Sequence, residues 1–235
     1  MNKKIYLMAF LCAVLSGLAS CSLDDTKRQQ MIAGYFTVIG SYPNYKLVSD
    51  DGLIVYPSAS SIADYGNHKR VYFEVSFYED DVTTTNNISV IRNAEVEKGT
   101  YLIETPFISK EEADKAGITQ EDSIFAISNL DNCWLANGYL NAIFKAEFSV
   151  DGLNAISPNA NLCVTSIADN AVTFTMLYNR HTKKGTTYDL GAFGYSFDIS
   201  KLNIPGNDSV AVTFETEGIK SNTIKVSRSA FNYAQ

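Results

Sequence analysis

Apolar and polar residues alternate with a period of two along most of this chain. The stretch from Arg70 to Tyr78 is the clearest case. It puts Val71, Phe73, Val75 and Phe77 on one face and Tyr72, Glu74, Ser76 and Tyr78 on the other, the pattern of a strand with one buried side. Upstream, Ile32 to Gly40 and Tyr45 to Ser49 lead into Asp51-Gly52, a two-residue hairpin signal, then Leu53 to Tyr56 and a break at Pro57. Asn87 to Val96 adds another strand. Five short strands within about 65 residues predict a small closed barrel of the OB or SH3 kind.

One segment departs from this rhythm. Ser109-Lys110-Glu111-Glu112 has the form of a capping box, with Ser109 placed to accept from the Glu112 backbone and Glu112 to reach back. It predicts a short helix over Lys110 to Ala116, ended by Gly117. Alternation then resumes. Tyr139 to Val150 places Leu140, Ala142, Phe144, Ala146 and Phe148 on one face and ends at a second hairpin signal, Asp151-Gly152. Leu162 to Ala168 and Ala171 to Asn179 flank Asp169-Asn170, and Gly194 to Ile199, Ser209 to Glu215 and Thr223 to Arg228 follow. Six or seven antiparallel strands over about 110 residues predict an immunoglobulin-like sandwich. Trp134, the single tryptophan, stands at its entrance as a core anchor. The fold class is therefore all-β, an OB-like barrel at 32–105 and a β-sandwich at 123–235, joined by a connector with a short helix at 106–122.

The N-terminus reads differently. Lys3 and Lys4 precede an apolar run from Ile5 to Leu18, and Leu18-Ala19-Ser20-Cys21 closes it as a lipobox. The run is shorter than the roughly 20 apolar residues that span a bilayer core. It predicts a lipoprotein signal peptide at 1–20, cleavage between Ser20 and Cys21, lipid on Cys21 and a tether at 21–31. Two or three acyl chains meet the requirement for stable anchoring. The acidic Ser22-Leu23-Asp24-Asp25 that follows points to export to the cell surface of the outer membrane, with its periplasmic face as the alternative.

Composition narrows the partners. Without Lys3 and Lys4 the chain has 17 basic and 26 acidic residues, a net charge of −9. With no basic run longer than His68-Lys69-Arg70, nucleic acid is not an expected partner. Fourteen Tyr and 13 Phe suit half-buried pleated surfaces. Of the four cysteines, Cys12 leaves with the leader and Cys21 takes lipid. Cys133 and Cys163 remain, either as a disulfide or as two buried thiols on separate strands.

Several of these features recur together in one family. The lipobox with its acidic residues, Asp51-Gly52 with Tyr56-Pro57, Arg70-Val71-Tyr72-Phe73, Asp122-Ser123-Ile124, Trp134, Gly138-Tyr139-Leu140-Asn141, and Phe174 through His181 resemble the NigD-like lipoproteins over essentially the whole mature chain. The resemblance implies an N-terminal OB-type domain and a C-terminal β-sandwich, and no settled activity.

Catalytic parts are few. His68 and His181 are the only histidines, and neither a GxSxG elbow nor an HExxH pair accompanies them. His181, near Tyr178, Asn179 and Arg180, is the one conceivable centre for a hydrolase. The paired carboxylates Asp50-Asp51 and Asp80-Asp81 sit at turns, where solvated caps are the ordinary reading. No metal or cofactor is expected. The leading expectation is a noncatalytic envelope lipoprotein that binds a protein partner. The alternative is a glycan-binding one that stacks sugar rings on Tyr65, Tyr72 and Tyr78.

Overall fold

The computed structural model describes residues 28–97, 99–118, 133–151, 154–156, 159–179, 187–216 and 219–232. The leader, Ser20, Cys21, most of the tether and His181 lie outside them.

The first unit is a closed five-stranded barrel. It is built from β1 (Gln29–Ser41), β2 (Asn44–Ser49), β3 (Ile54–Pro57), β4 (Arg70–Tyr78) and β6 (Ile88–Val96). The strands pair in the order β1-β2-β3-β6-β4 and return to β1. The β3–β6 pairing is parallel, with Ile54 beside Val90 and Val55 beside Ile91, and the others are antiparallel. This closure is of the OB type, one of the two barrel kinds the strand pattern predicts. The alternation of β4 survives intact: Val71, Phe73, Val75 and Phe77 are buried, and they pack with Phe36, Val38, Leu47, Val55 and Ile91. Two short strands decorate the barrel. β5 (Val82–Thr85) forms a hairpin with β6, and β7 (Thr100–Tyr101) pairs with the head of β4.

A single residue, Leu102, separates β7 from β8 (Ile103–Ser109), and β8 already belongs to the second unit. There it is joined by β9 (Cys133–Ala136), β10 (Tyr139–Asp151), β11 (Asn154–Ala155), β12 (Asn159–Ala168), β13 (Ala171–Asn179), β14 (Thr187–Asp198), β15 (Val210–Thr216) and β16 (Ile219–Val226). Two layers face each other. One carries β9, β11, β10 and β14, the other β12, β13, β15 and β16. β8 joins them, pairing with β14 through Ile103 to Pro106 and with β12 through Phe107 to Ser109. The change of partner falls at Pro106, which has no N–H to give to a ladder. The sandwich thereby becomes a nearly closed, barrel-shaped sheet. It is not purely antiparallel, since β8 runs parallel to both neighbours and β13 runs parallel to β15.

Inside lie Leu140, Ala142, Phe144 and Ala146 of β10, Val172, Phe174, Met176 and Tyr178 of β13, Tyr195 and Phe197 of β14, and Val212 and Phe214 of β15. Burial of the leucine, valine, methionine and phenylalanine side chains among them contributes about 1.5–3 kcal/mol each. The Asp169-Asn170 turn joins β12 to β13 with Ala168 opposite Ala171, and Asn170 takes a positive φ of 55°. Asp151 pairs with Asn154 across the second hairpin signal, whose Gly152 lies outside the described residues.

The stretch assigned to a connector, residues 106–122, holds the end of β8 and the helix α1 (Lys110–Ala116). Its cap forms as the sequence requires. Ser109 Oγ accepts from the Glu112 N–H at 3.1 Å, Glu112 Oε2 accepts from the Ser109 N–H at 2.7 Å, and Gly117 closes the helix in the left-handed region at φ 64°.

Candidate functional site

The charged group most deeply held in the described residues is Arg70, the first residue of β4, and the site grows from the turn that meets it. The predicted two-residue hairpin between β2 and β3 is a three-residue loop, Asp50-Asp51-Gly52. The Ser49 N–H donates to the Leu53 carbonyl at 2.9 Å, and Gly52 adopts φ +87°, a conformation that favours glycine. The extra residue, Asp50, donates its backbone N–H to the Tyr35 carbonyl at 3.1 Å, and its carboxylate meets Arg70.

The contact is bidentate. Arg70 Nη1 donates to Asp50 Oδ1 and Nη2 to Oδ2, both at 2.7 Å, the fork geometry that makes Arg–carboxylate pairs strong and directional. The remaining guanidinium donors are also satisfied. Nη1 reaches Thr37 Oγ1 at 2.7 Å, Nη2 reaches Asn141 Oδ1 at 3.0 Å, and Nε lies between Asn141 Oδ1 at 3.2 Å and Ser196 Oγ at 3.3 Å. Ser196 in turn donates to Asn141 Oδ1 at 2.6 Å, and the Tyr139 ring lies 5.4 Å from the guanidinium carbon. Thr37 and Asp50 belong to the first barrel, Asn141 and Ser196 to the second. Arg70 thus bridges the two units with a side chain at 0% exposure against 14% for Asp50.

Neighbouring groups reinforce the bridge. Trp134 Nε1 donates to Asp50 Oδ2 at 2.6 Å, and Asn137 Nδ2 donates to the Ser49 carbonyl and to Thr37 Oγ1, each at 3.3 Å. Glu104 of β8 accepts the backbone N–H groups of Lys69 and Arg70. Tyr35 stands between Tyr72 and Trp134, with centroids 5.2 and 4.8 Å away, and burial followed by the Tyr72 hydroxyl pushes its pKa upward. Trp134 is therefore an anchor of the seam between the barrels and a hydrogen-bond donor to the charge cluster.

Of the six buried polar or charged residues among the described ones, Thr37, Ser49, Arg70, Asn141 and Ser196 all belong to this node. A buried pair requires that saturation, because desolvating two ions costs several kcal/mol per ion unless their remaining donors and acceptors are met. No donor of Arg70 is left over for a substrate. Among the described residues, no group of three or more His, Cys, Asp and Glu could hold a metal.

The tyrosines picked out for sugar stacking do not form one platform. Tyr65 is buried in the first core against Tyr45 and Phe73, with centroids 5.3 and 5.2 Å away, and burial pushes its hydroxyl pKa upward. Tyr72 is half-buried, edge-on to Tyr35. Tyr78 is exposed at the far end of β4, six residues and about 20 Å of strand from Tyr72. His68 is exposed and stacks on Tyr101 at 4.1 Å.

Cys133 and Cys163, left open to pairing by the sequence, are free buried thiols rather than a disulfide. Cys133 lies on β9 opposite Ala142 of β10, and Cys163 lies on β12 between Ile108 and Thr175, so different strands of opposite layers hold them. Burial pushes the Cys133 thiol up to about 12 and raises that of Cys163. The Arg70–Asp50 bridge itself was missed by sequence reasoning, which reads Asp50 as a solvated cap.

No protein-family model and no curated protein matches the chain. Solved structures do. A protein described as toxin-related from Parabacteroides distasonis is 18% identical, with a TM-score of 0.59, over 86% of this chain and 96% of its own. A protein described as a lipoprotein from Bacteroides fragilis is 8% identical, with a TM-score of 0.54, over 88% of this chain and 100% of its own. A NigD-like immunity protein from Bacteroides caccae is 16% identical, with a TM-score of 0.49, over 84% of this chain and 93% of its own. The chain shares the two-unit all-β fold of the first two.

Proposed function

We propose that this chain is a noncatalytic lipoprotein of the bacterial envelope, anchored in the outer membrane by lipid on Cys21 and facing the cell surface, whose two barrels act as one accessory module for a protein partner. The observation that carries this reading is the saturated Arg70–Asp50 bridge. The charge cluster that in an enzyme would face a substrate is here directed at the seam between two barrels and makes them a single body. The tether adds to it. Seven residues lie between Cys21 and Gln29, so over eight residue steps the first barrel begins at most about 28 Å from the lipid. A protein of the same fold is described as a lipoprotein, which accords with the lipobox. The glycan alternative retains Tyr78 as its one open ring.

Fatty-acid labelling in a Gram-negative host tests the anchor. The full chain is expected to take label and sediment with the outer membrane, and Cys21→Ser to lose both; a membrane-bound, unlabelled Cys21→Ser chain would overturn it. Protease shaving of intact cells tests the surface assignment. Isolation of the lipidated chain from native envelope is expected to retain one partner in stoichiometric yield. Specific glycan-array binding lost in Tyr78→Ala would favour the alternative.

A further inference from the structure

The hairpin of β5 and β6 leaves one strand edge open. Among the described residues β5 pairs only with β6, and all four of its residues are exposed. Proteins ordinarily protect such an edge with charge, proline or a covering element. β16, at the end of the other sheet, carries Lys225. β5 carries none of these: Val82-Thr83-Thr84-Thr85 is uncharged, and so are Asn86, Asn87, Ile88 and Ser89 after it.

The backbone dictates what this edge accepts. Asn86 and Asn87 both have positive φ, 52° and 63°, so a two-residue turn joins Thr85 to Ile88. That closing pair exchanges both its hydrogen bonds, and pairs alternate from there, so Thr84 and Val82 turn their N–H and C=O groups outward. The Val82 N–H is already given to the Glu79 carbonyl. Thr84 is then the one residue with both groups available, and Val82 offers a carbonyl alone.

We propose that β5 is a homotypic docking edge, pairing antiparallel with β5 of a second copy with Thr84 opposite Thr84. In this register each Thr84 gives and receives a bond, and each Val82 carbonyl meets the Asn86 N–H of the other copy. The acidic run Glu79-Asp80-Asp81 at the entrance to β5 falls opposite Ser89, Ile88 and Asn87, so no like charges face each other; a parallel arrangement would stack the acidic runs. Thr84 Oγ1 and Ser89 Oγ, 3.1 Å apart, would continue across the axis as a hydroxyl row, a favourable cross-strand arrangement. Four backbone bonds are a weak joint in free solution. The inference therefore draws on the lipoprotein reading, since confinement of tethered copies to one membrane plane raises their effective concentration toward the millimolar range.

The test is a short thiol-specific cross-linker applied to the full lipidated chain in phospholipid vesicles. The chain's own thiols suit it, because Cys133 and Cys163 are buried. Thr84→Cys is expected to give at least roughly tenfold more dimer than Lys145→Cys, an exposed position on the second barrel. Thr84→Pro removes the outward N–H, together with the hydroxyl that meets Ser89, and leaves the β5–β6 backbone ladder in place. Thr83→Cys is expected to cross-link alone and to stop doing so beside Thr84→Pro. The cross-link is read whether the chain sediments with vesicles or stays in the aqueous phase at millimolar concentration. A monomer at both, or equal dimer from Lys145→Cys, overturns the proposal. Sedimentation itself reports on the anchor, so the two readings fail separately.

Discussion

Asp50 and Trp134 are joined by a hydrogen bond across the seam between the barrels, the indole Nε1 donating to the carboxylate Oδ2 at 2.6 Å over a sequence separation of 84 residues. The same oxygen accepts from Arg70 Nη2 at 2.7 Å. One carboxylate oxygen therefore ties the turn of the first barrel to the head of β4 and to the entrance of the second barrel.

Removing Arg70 leaves that carboxylate buried without its cation. Arg70→Ala is expected to destabilise the fold by about 3–5 kcal/mol. The paired replacement Arg70→Met with Asp50→Leu is expected to lose far less, because it removes both ions together. Urea denaturation of the three chains checks this, and equal losses would show that the guanidinium acts by packing alone.

Trp134→Phe keeps the aromatic contact with Tyr35 and deletes the donor. A hydrogen bond to a charged group contributes about 1.5–3 kcal/mol, and a loss in that range is expected. As the chain holds one tryptophan, its fluorescence reports on the seam directly. Its unfolding transition is expected to coincide with the loss of β-sheet circular dichroism, as one cooperative body requires.

Substituting the helix cap tests a separate element. Ser109→Ala removes the side-chain acceptor of the Glu112 N–H, and a loss of about 1 kcal/mol is expected. Hydrogen exchange should quicken at the start of α1 and remain unchanged in β4.

Acid sensitivity follows from Glu95. Ser61, Ser58 and Ser60 donate to its carboxylate and hold its pKa below the usual 4.5. A carboxyl lowered in the folded state adds stability above its unfolded pKa and loses it as pH falls through the folded one. The wild type is therefore expected to lose stability below about pH 4.5 more steeply than Glu95→Gln. Urea midpoints measured from neutral pH downward decide it.

The thiols give a chemical check. Native chain is expected to resist alkylation at Cys133, whose thiol burial holds at about 12. In denaturant without reductant, both Cys133 and Cys163 should be modified. Protection that persists in denaturant and vanishes with reductant would establish a disulfide.

The strand alternation of β4, the capped helix and the Asp169-Asn170 turn were legible because each is encoded within a few residues. β5 and β8 were not. Val82 to Thr85 lacks the apolar alternation that marks a half-buried strand, and Pro106 in the middle of β8 argues against a strand unless its place at a change of partner is known. The bridge was hidden for a different reason. Parity along β4 puts Arg70 on the outer face with Tyr72 and Glu74, and the second barrel is what buries that position. Asn141 likewise sits in the polar phase of an apolar strand. Such positions become legible only once the packing of two distant segments is known.

Leu102 is all that stands between the last strand of one barrel and the first strand of the next, and its N–H donates to the Arg70 carbonyl. A break there would part β7, paired with the head of β4, from β8, the strand that joins the layers of the second sheet. The junction offers no site for shuffling, splitting or inserting a domain. The linker between the barrels is thus itself part of both sheets' architecture.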